Sequence, residues 1–190
     1  MLPVAATSRD SGARPHDSIT VLFGGPAGAG KSTLARAWCE TRPRAVHIEL
    51  DSIRALSVAG FADPQGPGPE QAGQYAVSVS ACAELARVFA GGGYDVAIDD
   101  VLQPEAFDAL WLPALEGLRW QIIVVLPGLD ETLRRSAARA KRVLEVRARE
   151  QHAASLAWPE HLRLDTTGLS VEESLARARE RGLLPTALGG

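Results

Sequence analysis

"ITVLFGGPAGAGKSTLARAW", residues 19–38, runs from an apolar stretch straight into glycine, alanine and proline, and then into a helical pattern that opens with a lysine. Lysine is otherwise nearly absent: Lys31 and Lys141 are the only two, and the other basic positions are arginine. Gly25-Pro26-Ala27-Gly28-Ala29-Gly30-Lys31-Ser32 satisfies G-x-x-x-x-G-K-[ST] with a strand pattern before it and a helix after it, which is the context a phosphate-binding loop requires. Small residues let successive backbone N–H groups turn inward on a phosphate, and the start of the helix adds positive partial charge. On this reading residues 25–33, Thr33 included, hold a nucleoside triphosphate, expected to be ATP. Lys31 reaches its β- and γ-phosphates, and Ser32 offers a hydroxyl to magnesium.

Working outward, short apolar runs alternate with helical patterns: "ITVLF", a helix from Lys31 to about Glu40, "AVHIEL", "DVAID", "WQIIVVL" and "HLRLD", with helices between them. Strands with little in–out alternation belong to a parallel sheet covered on both faces. The expected fold is therefore α/β, a three-layer sandwich around a central parallel sheet of about five strands, of the P-loop nucleoside/nucleotide kinase type. Residues 61–74, "FADPQGPGPEQAGQ", contain three prolines and three glycines, which predicts a loop without regular structure, read at that length either as a substrate loop or as a plain surface connection. The following "YAVSVSACAELARVFAGGG" has helical apolar spacing and stops at a glycine cluster.

At 190 residues the chain fits one domain, expected over 19–185 after a loose tail at 1–18, with a lid segment near 130–155. A hydrophobic fraction of 46% with 23% charged residues describes a globular composition, and a formal net charge of -3 disfavours a protein that coats nucleic acid. Cys39 and Cys82 have no metal-type spacing and read as reduced thiols, so a cytoplasmic location is expected. The apolar run "WQIIVVLPGL" is half of what a membrane helix needs, so no membrane partner is expected. Nothing in the pattern sets an oligomeric state.

Carboxylates at strand ends supply the rest of the expected chemistry. In "VAIDDV", Asp99 is placed to hold the water shell of magnesium, with Asp100 beside it toward the acceptor. In "HIELDSIRALS", Asp51 stands where ligands gather in open α/β sheets. There it reads either as the base that accepts an acceptor hydroxyl's proton or as an ordinary helix N-cap. Arg54, one turn on, reads as a contact to an anionic part of the substrate or as a solvated charge. "LDETLRRSAARAKR" puts Arg135 and Arg139 one turn apart, suited to close over a triphosphate, whereas Arg134, Lys141 and Arg142 read as solvated. In "HLRLDTTGLSVEES", Ser170 and Glu173 form a capping-box pattern, and the turn with Thr167 is placed to border the base of the nucleotide.

"GGPAGAGKS", "LDSIR", "IDDV", "RRSAAR" and "LDTTGLSVEES", in that order, resemble the P-loop small-molecule and nucleotide kinases: chloramphenicol phosphotransferase, zeta-type toxins, gluconate kinase and phage-type polynucleotide 5′-kinases. The resemblance implies Asp51 as base, Asp99 as the magnesium-side acid, and Arg135 and Arg139 as lid residues. It implies an ATP-dependent transfer to a hydroxyl of a small metabolite or antibiotic, with a polynucleotide or nucleotide 5′-hydroxyl as the alternative acceptor. Residues 61–74 match none of these groups. From a different class stands an ATPase module without an acceptor. A guanine-selecting N-K-x-D switch is excluded, because the chain contains no asparagine.

Overall fold

The computed structural model describes residues 18–64, 66, 68–138 and 143–185. Five strands, β1 (Thr20–Gly24), β2 (Ala45–Glu49), β3 (Asp95–Asp99), β4 (Trp120–Val125) and β5 (Arg163–Leu164), form one sheet in the order β2-β3-β1-β4-β5. Every pair is parallel. Because β1 is flanked by β3 on one side and β4 on the other, the chain reverses its direction of travel across the sheet there. That switch opens a crevice at the strands' carboxyl ends.

Alternate residues of the central strands feed two different cores, which is why their sequences look continuously apolar. Val21, Phe23, Ala97, Ile123 and Val125 pack with Leu34, Ala35 and Trp38 of α1 (Lys31–Glu40) and Leu175 and Ala178 of α8 (Val171–Glu180). Leu22, Val96, Ile98, Ile122 and Val124 face the other way, against Val79, Cys82 and Ala86 of α3 (Pro69–Gly91). Phe107, Trp111, Leu115 and Trp158 complete that second layer. The result is the expected three-layer sandwich. Trp38 and Trp111 are wholly buried, one in each core, and truncating either to alanine would cost about 3–5 kcal/mol.

The other helices among the described residues are α2 (Leu50–Arg54), α4 (Pro104–Ala106), a π-helical turn (Phe107–Trp111), α5 (Leu112–Ala114), α6 (Leu129–Ala137) and α7 (Glu145–Ser155). Pro113 has no N–H to continue an α-helical ladder, and the wider π turn stands immediately before its segment.

The stretch expected to lack regular structure is partly helical, because α3 begins at Pro69 and takes in residues 69–74. Proline at the first helical position loses only an N–H that would have no partner there, so the proline read as a breaker is a helix start. Gly73 costs the helix propensity without ending it, and a Cβ at that position would meet nothing within 4 Å. β5 is shorter than "HLRLD" suggests, since a 3-10 turn occupies Glu160–Leu162. The Ser170–Glu173 capping box is present, with both reciprocal hydrogen bonds formed. Among the described residues, no helix is long and apolar enough to cross a membrane.

Candidate active site

The glycine-rich loop joins buried β1 to α1 at the switch point, and two of its glycines are sterically required. A Cβ on Gly25, whose φ is 130°, would collide with the Val125 carbonyl oxygen. One on Gly28, whose φ is 86°, would lie 2.5 Å from the Thr132 carbonyl oxygen. α1 starts after Gly30 with no side-chain cap, so its first N–H groups stay available to an anion. Lys31 is buried and donates from Nζ to the Pro26 carbonyl at 2.9 Å, which folds its ammonium back over the loop. The Ala27 N–H donates to Gln151 Oε1 of α7 at 3.0 Å.

Ser32 Oγ donates to Asp99 Oδ1 at 3.1 Å, bringing together the hydroxyl and carboxylate expected at a magnesium ion. Both donors are hard oxygens, so the pair fits that cation. The other oxygen of Asp99 lies 2.6 Å from His47 Nε2. Glu49 completes a group with His47 and Asp99 whose ligating atoms all fall within 4.8 Å of one another. Neither His47 nor Glu49 is among the sequence-derived candidates. A period-two reading of "AVHIE" places them on one face of β2, but only the β2–β3 register brings Asp99 opposite Glu49.

Within reach of the Lys31 charge lies a second polar group. Asp100 Oδ2 accepts hydrogen bonds from Tyr75 Oη of α3 at 2.5 Å and from Trp111 Nε1 of the π turn at 3.2 Å. Burial raises the Asp100 carboxyl above the usual carboxylate range. The two hydrogen bonds and the Lys31 charge oppose that rise, and the nearby Asp51 charge adds to it. Burial, with the Asp100 carboxylate beside it, likewise pushes the Tyr75 phenol up.

Asp51 sits inside the first turn of α2, whose N-cap is Glu49, so the N-cap reading of Asp51 does not hold. Its side chain is exposed, and its charge acts on Asp100. Arg54 ends α2 and is 6% exposed, and its Nε and Nη2 have no hydrogen-bond partner among the described residues. The solvated reading of Arg54 is thereby corrected. Next to Asp51 and the Asp100–Tyr75 pair stands a buried guanidinium with unused donors. Tyr75 and Trp111 carry no local motif and escape a reading of the sequence alone.

A cavity of about 290 Å³ opens beside the start of α1, lined by Gly30, Thr33, Arg135, Thr166, Leu169 and Val171 among others. Arg135 lies on α6, ion-paired to Glu131 at 2.6 Å, with Nη1 3.5 Å from the Ala29 carbonyl oxygen. Those contacts from Arg134 and Arg135 hold the Glu131 carboxyl down at about 2. Thr167 turns aside: its hydroxyl donates to Asp165 and accepts from the Gly128 N–H, while Thr166 and Leu169 line the cavity. Arg139 lies outside the described residues.

The AAA domain family matches residues 21–162, and the chain belongs to it. None of the curated proteins matches the chain in sequence. Among solved structures, the Deinococcus radiodurans tunicamycin resistance protein is similar at 19% identity and TM-score 0.63, covering 89% of this chain and 99% of its own. The Mycobacterium tuberculosis APS kinase, solved in complex with AMPPNP and APS, is similar at 20% identity and TM-score 0.61, covering 86% and 96%. A gluconokinase from Sinorhizobium meliloti follows at 14% identity and TM-score 0.61, covering 88% and 92%. At these identities the likeness is one of fold, and the fold is that of the P-loop kinases.

Proposed function

We propose that this AAA domain protein is an ATP- and magnesium-dependent phosphotransferase whose acceptor is a hydroxyl of a small molecule. The observation that carries the proposal is that Asp100 feels the charges of both Lys31, which folds over the phosphate loop, and Asp51, while the buried Arg54, with unused donors, acts on Tyr75, the hydrogen-bond partner of Asp100. A plain ATPase module has no need of that second group.

The loop N–H groups and Lys31 bind the β- and γ-phosphates, while Ser32 and Asp99 hold the cation with its water shell. Magnesium, when bound, neutralises charge on the phosphate oxygens. Asp51 accepts the proton of the attacking hydroxyl, and Asp100, fixed by Tyr75 and Trp111, orients the acceptor. Arg54 takes an anionic substituent of the acceptor, because a buried guanidinium with unused donors is stabilised when such a group completes it. Arg135, within the 130–155 stretch read as a lid, reaches from α6 to the loop and stabilises charge on the moving phosphoryl group, with Arg139 in the same role. The nucleoside occupies the cavity lined by Thr33, Thr166 and Leu169, next in sequence to Thr167, whose hydroxyl is held by Asp165 and Gly128. The APS kinase and the gluconokinase, by their names, act on small molecules, which supports that acceptor class.

A nucleotide or polynucleotide 5′-hydroxyl is the second reading, favoured by the Arg54 donors, which suit a neighbouring phosphate. A screen of ADP formation over hydroxylated antibiotics, sugars, nucleosides and 5′-hydroxyl oligonucleotides tests both. Stimulation by a small hydroxyl compound supports the first reading, stimulation by oligonucleotides alone supports the second, and a basal rate raised by no acceptor contradicts both.

A further inference from the structure

One peptide of the glycine-rich loop is held from both ends. The Pro26 carbonyl accepts from Lys31 Nζ at 2.9 Å and from the Ala29 N–H at 3.2 Å, while the N–H of the same peptide, on Ala27, donates to Gln151 Oε1 at 3.0 Å. We propose that Gln151 is a positioning residue for the donor phosphates. From α7 it fixes the Pro26–Ala27 peptide and, through the carbonyl of that peptide, the place of the Lys31 ammonium. The inference deepens the kinase reading, because it takes from that reading the assignment of Lys31 to the β- and γ-phosphates.

A peptide unit is planar, so fixing its N–H fixes its carbonyl as well. Hydrogen bonds at the two ends of one peptide also polarise each other, which strengthens the hold of the carbonyl on the ammonium. Ala27 is buried, and a buried N–H left without an acceptor is costly, which keeps the Gln151 amide in place.

Gln151 is itself anchored. Ala148, His152 and Ser155 form the buried side of α7, and Ser155 Oγ donates to the Gln151 carbonyl at 2.8 Å. His152, next in sequence, donates from Nε2 to the Pro127 carbonyl at 3.0 Å, an oxygen that Thr132 Oγ1 of α6 also reaches at 3.3 Å. Pro127 follows β4, which pairs with β1, the strand from which the glycine-rich loop leaves. The charged residues of α7 pair along the helix, Arg149 with Glu145 at 2.7 Å and Arg147 with Glu150 at 3.6 Å. The residue type fits the task. A lysine or arginine has no acceptor to offer Ala27, and a carboxylate would set a negative charge beside an anion site, whereas an amide oxygen accepts without adding charge.

The test is a double-mutant cycle on the full chain with Mg²⁺, read by calorimetry as affinity for the β,γ-imido analogue of ATP, so that no acceptor is needed. Gln151→Met keeps the length and removes the acceptor oxygen, and should weaken binding of the analogue by about tenfold. In a Lys31→Ala background the same change should weaken it by less than about twofold, because the group it acts through is gone. A purely structural role would lower the melting temperature of Gln151→Met and leave its affinity unchanged. Unchanged affinity, or equal losses in both backgrounds, overturns the proposal. Should a variant fail to fold or bind too weakly to measure, the unaltered protein decides: the side-chain amide NMR signals of Gln151 should shift when ADP binds, and unshifted signals overturn the proposal. Acceptor-dependent ADP formation, which tests the kinase reading, is a separate measurement, so failure of the one is told from failure of the other.

Discussion

The loop from Gly25 to Lys31 and the polar group around Asp100 both interact with one ammonium, yet they are put together differently. The first is one uninterrupted stretch whose working atoms are backbone N–H groups at the start of a helix. The second gathers Asp51 and Arg54 from α2, Tyr75 from α3, Asp100 after β3 and Trp111 from a π turn. A backbone cradle recognises phosphate whatever the phosphate is attached to. Side chains drawn from separate elements can each be exchanged without disturbing the loop, so on the phosphotransferase reading proposed above, discrimination among acceptors falls to the second region.

Mutations in the two regions should therefore have separable effects. The largest belongs to the donor side: Lys31→Ala removes the charge over the loop, and transfer should fall by about a hundredfold to a thousandfold. Its melting temperature should stay near that of the unaltered protein, because Nζ bonds to the Pro26 carbonyl of its own loop and not to a core element. Transfer at the original rate would break the assignment of this loop to phosphate.

Next comes Arg54→Gln on the acceptor side. A charged hydrogen bond contributes about 1.5–3 kcal/mol, so kcat/KM for acceptors bearing a phosphate or carboxylate should fall by about tenfold to a hundredfold. Neutral hydroxyl acceptors and ATP affinity should change little. An equal loss for charged and neutral acceptors would show that Arg54 serves the fold instead.

The smallest effect is one of stability and has the opposite sign. Burial raises the Asp100 carboxyl in the folded chain above its unfolded value. Its contribution to stability is therefore fully present below the unfolded value and is lost as pH rises through the folded one. Wherever the group is ionised in the folded chain, its burial opposes folding. Asp100→Asn keeps an oxygen for Tyr75 and Trp111, and should raise stability by about 0.5–2 kcal/mol while turnover declines. Thermal melts at neutral and acidic pH check this, and the gain over the unaltered protein should shrink toward low pH. A loss of stability at neutral pH would mean that the charge is needed to hold α3 and the π turn in place.

The same contrast explains what could be read from the chain. The loop was legible because its chemistry is local, a glycine-rich turn between an apolar strand and a helix. The sheet was legible because buried parallel strands are apolar on both faces, as in "VLF" and "IIVV". Asp99, Asp51 and Arg54 were legible as positions at strand ends or one turn beyond, but their surroundings were not. The burial of Arg54 depends on how α2 lies against α3, and His47 meets Asp99 only through the pairing of two strands separated by α2 and α3. The helix start at Pro69 was obscured because proline and glycine have two meanings, breaker and first-turn residue, and the side chains around the position decide between them.

The central claim is that the second region exists to present a hydroxyl to the first, and Asp51→Asn tests it most directly. Asn has nearly the same shape but takes no proton at neutral pH, and Asp51 is exposed within α2 and does not cap it. With an acceptor identified, phosphorylated product should be measured by mass spectrometry, alongside ATP affinity and melting temperature. Transfer should drop by about a hundredfold or more while affinity and melting temperature hold. Undiminished transfer by Asp51→Asn would contradict the account.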